Sequence, residues 1–287
     1  MADKEMLKLL LAGVEGWNKW MENANFGTQI DFKKVKIKKA KLAGANLLGV
    51  DFTEADLRDA DFHQAQLSGT HLDRANLSKA NLCEVDTLWP TVEMNGANLR
   101  DADLSKSFLI AAGLRHADLR GAILNETSLM GSHLDDADLR GASMYLSVLI
   151  GAVLYKANLS KADLRKAHLE MAYLIGTDLS GANLEDAKYD EETKWPAGFD
   201  PGKSGAINLS EHDLQGINLT HARLRGTKLL AGKNLSGSDL READLTNVDL
   251  KETNLNGANL ACAKYNEKTI WPDGFDPLIA GAILVSE

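Results

Sequence analysis

The chain holds only two cysteines in 287 residues, Cys83 and Cys262. They stand far apart in sequence, which argues against a disulfide and for two free thiols in a reducing compartment. No apolar run approaches the roughly 18 residues of a membrane helix. We therefore expect no membrane span and a cytoplasmic location, where the Asn-X-Ser/Thr triplets at Asn76, Asn125, Asn158, Asn208, Asn218 and Asn234 carry no glycan. HxH, HExxH, CxxC and GxxxxGK(S/T) spacings are also missing. The seven histidines, His63, His71, His116, His133, His168, His212 and His221, are scattered. No catalytic residue, metal site or cofactor is expected, and the chain does not read as an enzyme.

What the chain does have is a period of five, from about residue 30 to residue 265, as in Ala75-Asn76-Leu77-Ser78-Lys79-Ala80-Asn81-Leu82. Five fits neither the 3.6 of a helix nor the 2.0 of an open strand. Each five must therefore form one side of something that turns a corner and returns, with every fifth side chain aimed at a shared axis. A large apolar residue holds the centre at Phe32, Ile37, Leu42, Leu47, Phe52, Leu57 and Phe62, and two residues earlier stands a small or β-branched one such as Ala40, Ala45, Val50 or Ala55. A second run goes from Leu99 to Tyr189, with Ala, Ser or Thr at the small position. Lys33, Lys34, Lys36, Lys38, Lys39 and Lys41 all avoid the two inward places, while Val35, Ile37, Ala40 and Leu42 fill them.

A tube one such side wide holds one large aliphatic group per side, provided that its inward companion is small. Each buried leucine then contributes roughly 1.5 to 3 kcal/mol relative to exposure. The Asn or Asp before the centre, as at Asn46, Asp56, Asp103, Asp118, Asp138, Asn158 and Asp178, reads as turn chemistry that caps backbone groups. Asp118, Asp138, Asn158 and Asp178 stand twenty apart and so share a column, yet a flat outer wall offers no cleft in which paired carboxylates would do acid–base work. His212 alone falls at a small inward place, where we expect a local register defect.

The A(D/N)LXX pattern resembles the pentapeptide-repeat family over about four-fifths of the chain. The resemblance implies an all-β fold: a right-handed quadrilateral parallel β-helix, a solenoid with four pentapeptides per coil. About eleven coils at roughly 4.8 Å each would make a rod around 50 Å long, with unpaired edges only at its ends.

The ends carry covers. Residues 3–22 read as one amphipathic helix, with Leu7, Leu10, Leu11, Val14, Trp17 and Met21 at helical spacing, so that residues 1–24 form an N-terminal helical cap. A secretory signal is the rival, but the run Leu9–Val14 is short, acidic residues precede it and no small-residue cleavage site follows. The first part of the β-helix spans 25–189, with an irregularity near 87–94. Residues 190–206 carry Trp195-Pro196-Ala197-Gly198-Phe199-Asp200-Pro201 and read as a side loop or an internal terminator. The second part spans 207–265, with one extra residue between Leu229 and Leu235, and 266–287 form a C-terminal cap around Trp271-Pro272-Asp273-Gly274-Phe275-Asp276-Pro277. The two WPxGFDP segments match at a constant offset, as a duplicated array-plus-terminator would.

Outward places at intervals of twenty align Ile110, Met130 and Ile150, flanked by Phe108 and Val148, while the next side sets Val153 over Tyr173 and Tyr155 over Ile175. Nine apolar side chains on two neighbouring sides form the expected contact wall for a protein partner or for self-association. The function that follows is a non-enzymatic, rigid protein–protein interaction scaffold. The resemblance also carries an alternative: some family members mimic duplex DNA and bind or protect DNA gyrase, and the net charge of −9 permits this. Against it, basic residues are interspersed, with Arg100, Arg120 and Arg140 in a column. No direct contact with nucleic acid is expected, and the Lys33–Lys41 cluster reads as edge protection rather than as a nucleic-acid or membrane patch.

Overall fold

The structure, a computed structural model, describes residues 3–24, 30–87, 91–208, 214–220, 222, 224–226 and 230–286. His212, and the expected disturbance at Leu88–Pro90, lie outside the described residues. The chain divides into two compact units, Met1–Asn208 and Leu209–Glu287.

The repeat folds as it does because each five-residue unit finds partners for all its amides, two within itself and three on the coils before and after. In Asp118-Leu119-Arg120-Gly121-Ala122, Asp118 donates its N–H to Ala97 O of the coil before at 2.9 Å, and Leu119 donates to Asp138 O of the coil after at 2.8 Å. The Arg120 N–H points outward and is capped by Asp118 Oδ1 at 3.3 Å. Gly121 donates to Arg140 O at 3.1 Å, and Ala122 closes the corner on Leu119 O at 3.0 Å. Every N–H of the unit thus has a partner. The corner is a type II turn, which requires a positive φ at its third residue; Gly121 has φ 66° there. Lys106, His116, Glu126 and Asp136 adopt the same left-handed conformation without being glycine.

Parallel bridges twenty residues apart, such as Asp118↔Asp138 and Asp138↔Asn158, recur on four successive sides, which makes the first unit a right-handed quadrilateral parallel β-helix. The separation widens to twenty-two from His71↔Glu93 to Asp86↔Phe108 and returns to twenty at Glu93↔Gly113. The inserted residues are therefore confined to the stretch between Asp86 and Glu93. Leu99, Leu104, Leu109, Leu114 and Leu119 are fully buried, with Ala97, Ala102, Ala112 and Ala117 beside them. Where Thr127 or Ser107 replaces that alanine, its hydroxyl donates to a backbone carbonyl, Leu104 O at 2.7 Å and Leu82 O at 2.6 Å, so no buried polar atom is orphaned there.

The N-terminal segment forms two helices rather than the one expected, α1 (Lys4–Ala12) and α2 (Val14–Asn23). Gly13, with φ 153°, ends the first and starts the second. The Asp3 side chain caps α1 by accepting from the Met6 N–H at 3.1 Å. Trp17 of α2 is wholly buried and packs over Phe32, which packs over Phe52, with rings tilted by 43° and 47° at centroid separations of 6.0 and 5.4 Å.

The first unit closes on strand β1 (Lys188–Tyr189), paired in parallel with β2 (Ile207–Asn208). Between them Trp195 meets Tyr189 edge-on at 5.4 Å and stacks on Phe199 at 5.2 Å, and Trp195, Phe199 and Ala206 pack against the core of this unit. The second unit repeats the device. Strand β3 (Lys264–Tyr265) pairs with β4 (Ile283–Leu284), and Trp271 lies 5.4 Å from Tyr265 and 5.2 Å from Phe275. Its described bridges include Asn234↔Asn254 and Asp239↔Asn259, at the same spacing of twenty.

Candidate functional site

The columns read from the sequence exist, but they are not equally open. Phe108 bridges to Ser128, Ser128 to Val148 and Val153 to Tyr173. The Ala111 N–H donates to Met130 O, that of Gly131 to Ile150 O and that of Lys156 to Ile175 O, which sets the other columns in register. Ile110, Met130, Val148 and Ile150 are nevertheless buried, at 4–6% exposure, and Phe108 and Val153 are half-buried. The expected nine-residue exposed wall is thus corrected to a smaller one. Only Tyr155, Tyr173 and Ile175, at 36, 38 and 39%, stand open.

The reason lies in the place rather than the residue type. On the Leu109 side, the residue after the centre is buried from the second coil on, among the described residues: Ser68, Ile110, Met130, Ile150, Glu170 and Asp190 are all 3–6% exposed, while Leu48 of the first coil is half-buried. A position that also buries a serine and a carboxylate is a recessed corner of the coil, and its aliphatic residues pack there rather than face a partner. The same column ends in polar groups that sequence reasoning passed over. His168 Nδ1 lies 2.9 Å from Glu170 Oε1, while Glu170 Oε2 is buried without a hydrogen-bond partner. The polar Ser68, two coils before Ile110 in the same column, and Glu170, twenty residues after Ile150, were the available signal.

The open residues form one patch. The Tyr155 and Tyr173 rings sit 6.3 Å apart, tilted by 44°, and the Lys156 ammonium lies 4.9 Å from the centroid of Tyr155. All three side chains project from backbone held by the inter-coil ladder, so their spacing is set by the fold.

Charge elsewhere is largely cancelled in place. In each D-L-R unit the arginine reaches back over the leucine to the aspartate. Arg120 Nε and Nη2 lie 2.7 and 2.6 Å from Asp118 Oδ1 and Oδ2, and Arg58, Arg140, Arg165 and Arg241 repeat the fork with Asp56, Asp138, Asp163 and Asp239. Arg120 Nε also lies 3.5 Å from Asp138 Oδ2 of the next coil, which links the forks into a ladder. The arginine hydrogen bonds hold these carboxyls below the ordinary aspartate range, Asp56 at about 2. Such groups stay ionised at neutral pH and have no proton to give as general acids. Cys83 and Cys262 are free thiols, and burial pushes the Cys83 thiol up. Among the described residues no helix is long and apolar enough to cross a membrane.

No curated protein gives a match. Among solved structures, HetL, a pentapeptide repeat protein involved in heterocyst differentiation regulation from the cyanobacterium Nostoc, is 25% identical over 90% of this chain and 92% of its own, with a TM-score of 0.51. A trypsin-treated form of QnrB1, a plasmid-mediated fluoroquinolone resistance protein, is 19% identical over 88% of this chain and 90% of its own, with a TM-score of 0.28. A pentapeptide repeat protein of the Arabidopsis thaliana thylakoid lumen is 28% identical over 43% of this chain and 71% of its own, with a TM-score of 0.24. The family model for pentapeptide repeats matches in eight copies, which include residues 30–65, 60–86, 93–131, 112–151, 132–170, 152–188 and 230–264. On more than half of its length, therefore, the chain belongs to the pentapeptide-repeat family.

Proposed function

We propose that this protein is a non-enzymatic scaffold that docks a protein partner on the wall carrying Tyr155, Tyr173 and Ile175. The observation that carries this reading is the open aromatic pair beside Ile175, three exposed apolar side chains on adjacent coils with two rings 6.3 Å apart. Tyrosines supply large amphipathic contact area at low entropic cost and are enriched where interfaces draw their energy. A rigid wall adds little ordering cost on binding. HetL, the relative of matching fold, is involved in regulating differentiation, a kind of role that a partner-binding scaffold serves. The test compares wild type with a Tyr155→Asp/Tyr173→Asp variant, by affinity capture from native extract and by light scattering for self-association. A protein or a second copy held by wild type and lost by the variant supports the proposal. Equal capture and equal mass for both would remove it.

The alternative, a duplex mimic bound to DNA gyrase, draws on the net charge of −9. A mimic needs continuous negative ridges. The arginine forks neutralise aspartates in the very columns where such a ridge would run. A supercoiling assay with purified gyrase tests it, and inhibition or protection at micromolar protein would restore it over the scaffold reading.

A further inference from the structure

A second site lies at the N-terminal end of the first unit, on a side of the first coil next to α1. A recess of about 810 Å³ is lined by Leu11, Lys36, Ile37, Lys38, Lys39, Ala40, Lys41, Asp56 and Arg58. Five of these residues are cationic and one is anionic, in a chain whose net charge is −9. The one carboxylate is already engaged: Asp56 accepts from Arg58 at 2.7 and 2.8 Å and lies 3.6 Å from the Lys38 ammonium. Among the described residues, Lys36, Lys39 and Lys41 have no carboxylate within ion-pair distance, whereas Lys33 and Lys34 pair with Asp51 and Glu54 of the next coil.

The backbone adds an independent signal. On the second coil, the N–H groups of Asp56 and Asp61 donate to Val35 O and Ala40 O of the first. Lys36 and Lys41 occupy the same places on the first coil, with no coil before them. At Asn46 the gap is filled, since Asn18 Oδ1 of α2 accepts that N–H at 2.8 Å. At Lys36 and Lys41 no protein acceptor stands among the described residues. Two backbone N–H groups with no protein acceptor among the described residues, carried by lysines that line the recess, are the donors an anion would draw on. Leu11, half exposed at 50%, and Ile37 supply an apolar face on the same recess.

We propose that this recess binds a multiply charged phosphate ester with an apolar body, of nucleotide size. Lysine is the point-charge ligand for phosphate, and the volume falls within the range of small-molecule sites. The lysines take the phosphates and Leu11 with Ile37 takes the apolar body. The edge-protection reading explains why lysines crowd the first coil; it does not explain why these three lack the acidic partners that Lys33 and Lys34 find.

Isothermal titration calorimetry with ATP, sodium triphosphate and adenosine, at low and at physiological salt, tests the proposal, with a Lys36→Glu/Lys39→Glu variant, a Leu11→Ser variant and a Lys161→Glu control on a distant coil. ATP binds, triphosphate binds more weakly and adenosine does not; the double reversal weakens ATP at least tenfold, Leu11→Ser reduces ATP to the level of triphosphate, and the control changes nothing. Circular dichroism checks that each variant is folded. The proposal falls if neither phosphate compound binds, or if the double reversal binds ATP as wild type does. It also falls if the protein sediments with vesicles of anionic phospholipid while ignoring both soluble phosphates, since the lysines then serve a surface and not a pocket.

Discussion

Trp17 donates its indole N–H to the backbone carbonyl of Asn46 at 2.6 Å. Beside it Asn18 accepts from the Asn46 N–H and donates to Gly44 O at 2.9 Å. Two side chains of α2 thus take the place of the missing coil on one side of the first unit, and the buried Trp17 ring covers the end of the core. Trp17→Ala removes a large buried ring together with a hydrogen bond. We expect a loss of about 3–5 kcal/mol, read by urea unfolding of the first unit. A loss under about 1 kcal/mol would show that the helix is an ornament rather than a lid.

Corner geometry gives a cleaner experiment. A Cβ added at Gly141 meets nothing within 4 Å, yet Gly141 has φ 65°. Gly141→Ala therefore isolates the conformational cost of a left-handed residue, expected at roughly 1–2 kcal/mol. Chemical denaturation measures it.

The corrected wall separates two substitutions that the sequence would treat alike. Met130→Asp puts a charge in the recessed column and is expected to destabilise the fold by several kcal/mol, seen as a fall in melting temperature. Tyr155→Asp sits in solvent and should leave melting within about 0.5 kcal/mol of wild type, while removing partner binding.

The Asp56–Arg58 fork sets a pH window. The folded pKa of Asp56, about 2, lies below the ordinary aspartate value near 3.9. Its stabilisation is therefore fully present above about pH 4 and is lost as pH falls through 2. Asp56→Asn, compared with wild type by thermal unfolding, should show its deficit at pH 7 and converge with wild type toward pH 2. A deficit that does not change with pH would assign the effect to packing.

Much of this was legible in residue order. The small-then-large alternation at five-residue spacing marks the buried places between Phe32 and Leu184, with Ile37 left partly buried, and where an Asn or Asp precedes the centre it announces the outward N–H that it caps. The duplicated WPxGFDP segments adopt one arrangement twice, each tryptophan edge-on to a tyrosine and stacked on a phenylalanine. The break at Gly13 was less visible, because hydrophobic spacing runs across it and only the backbone angle divides α1 from α2.

What sequence by itself determined is the coil, since each pentapeptide carries its own corner, its own cap for the outward N–H and its own leucine for the core, and hands its remaining amides to the identical units twenty residues away. What only the tertiary structure decided is how the sides differ. The repeat rule treats every outward place as equal, but stacking recesses one column, so that Met130 and Ile150 are buried while Tyr155 and Ile175 remain open. Likewise the first coil is chemically ordinary until its place at the end leaves the N–H groups of Lys36 and Lys41 with no acceptor among the described residues. Exposure and unmet hydrogen bonds are properties of neighbours in space, and a local pattern does not specify them.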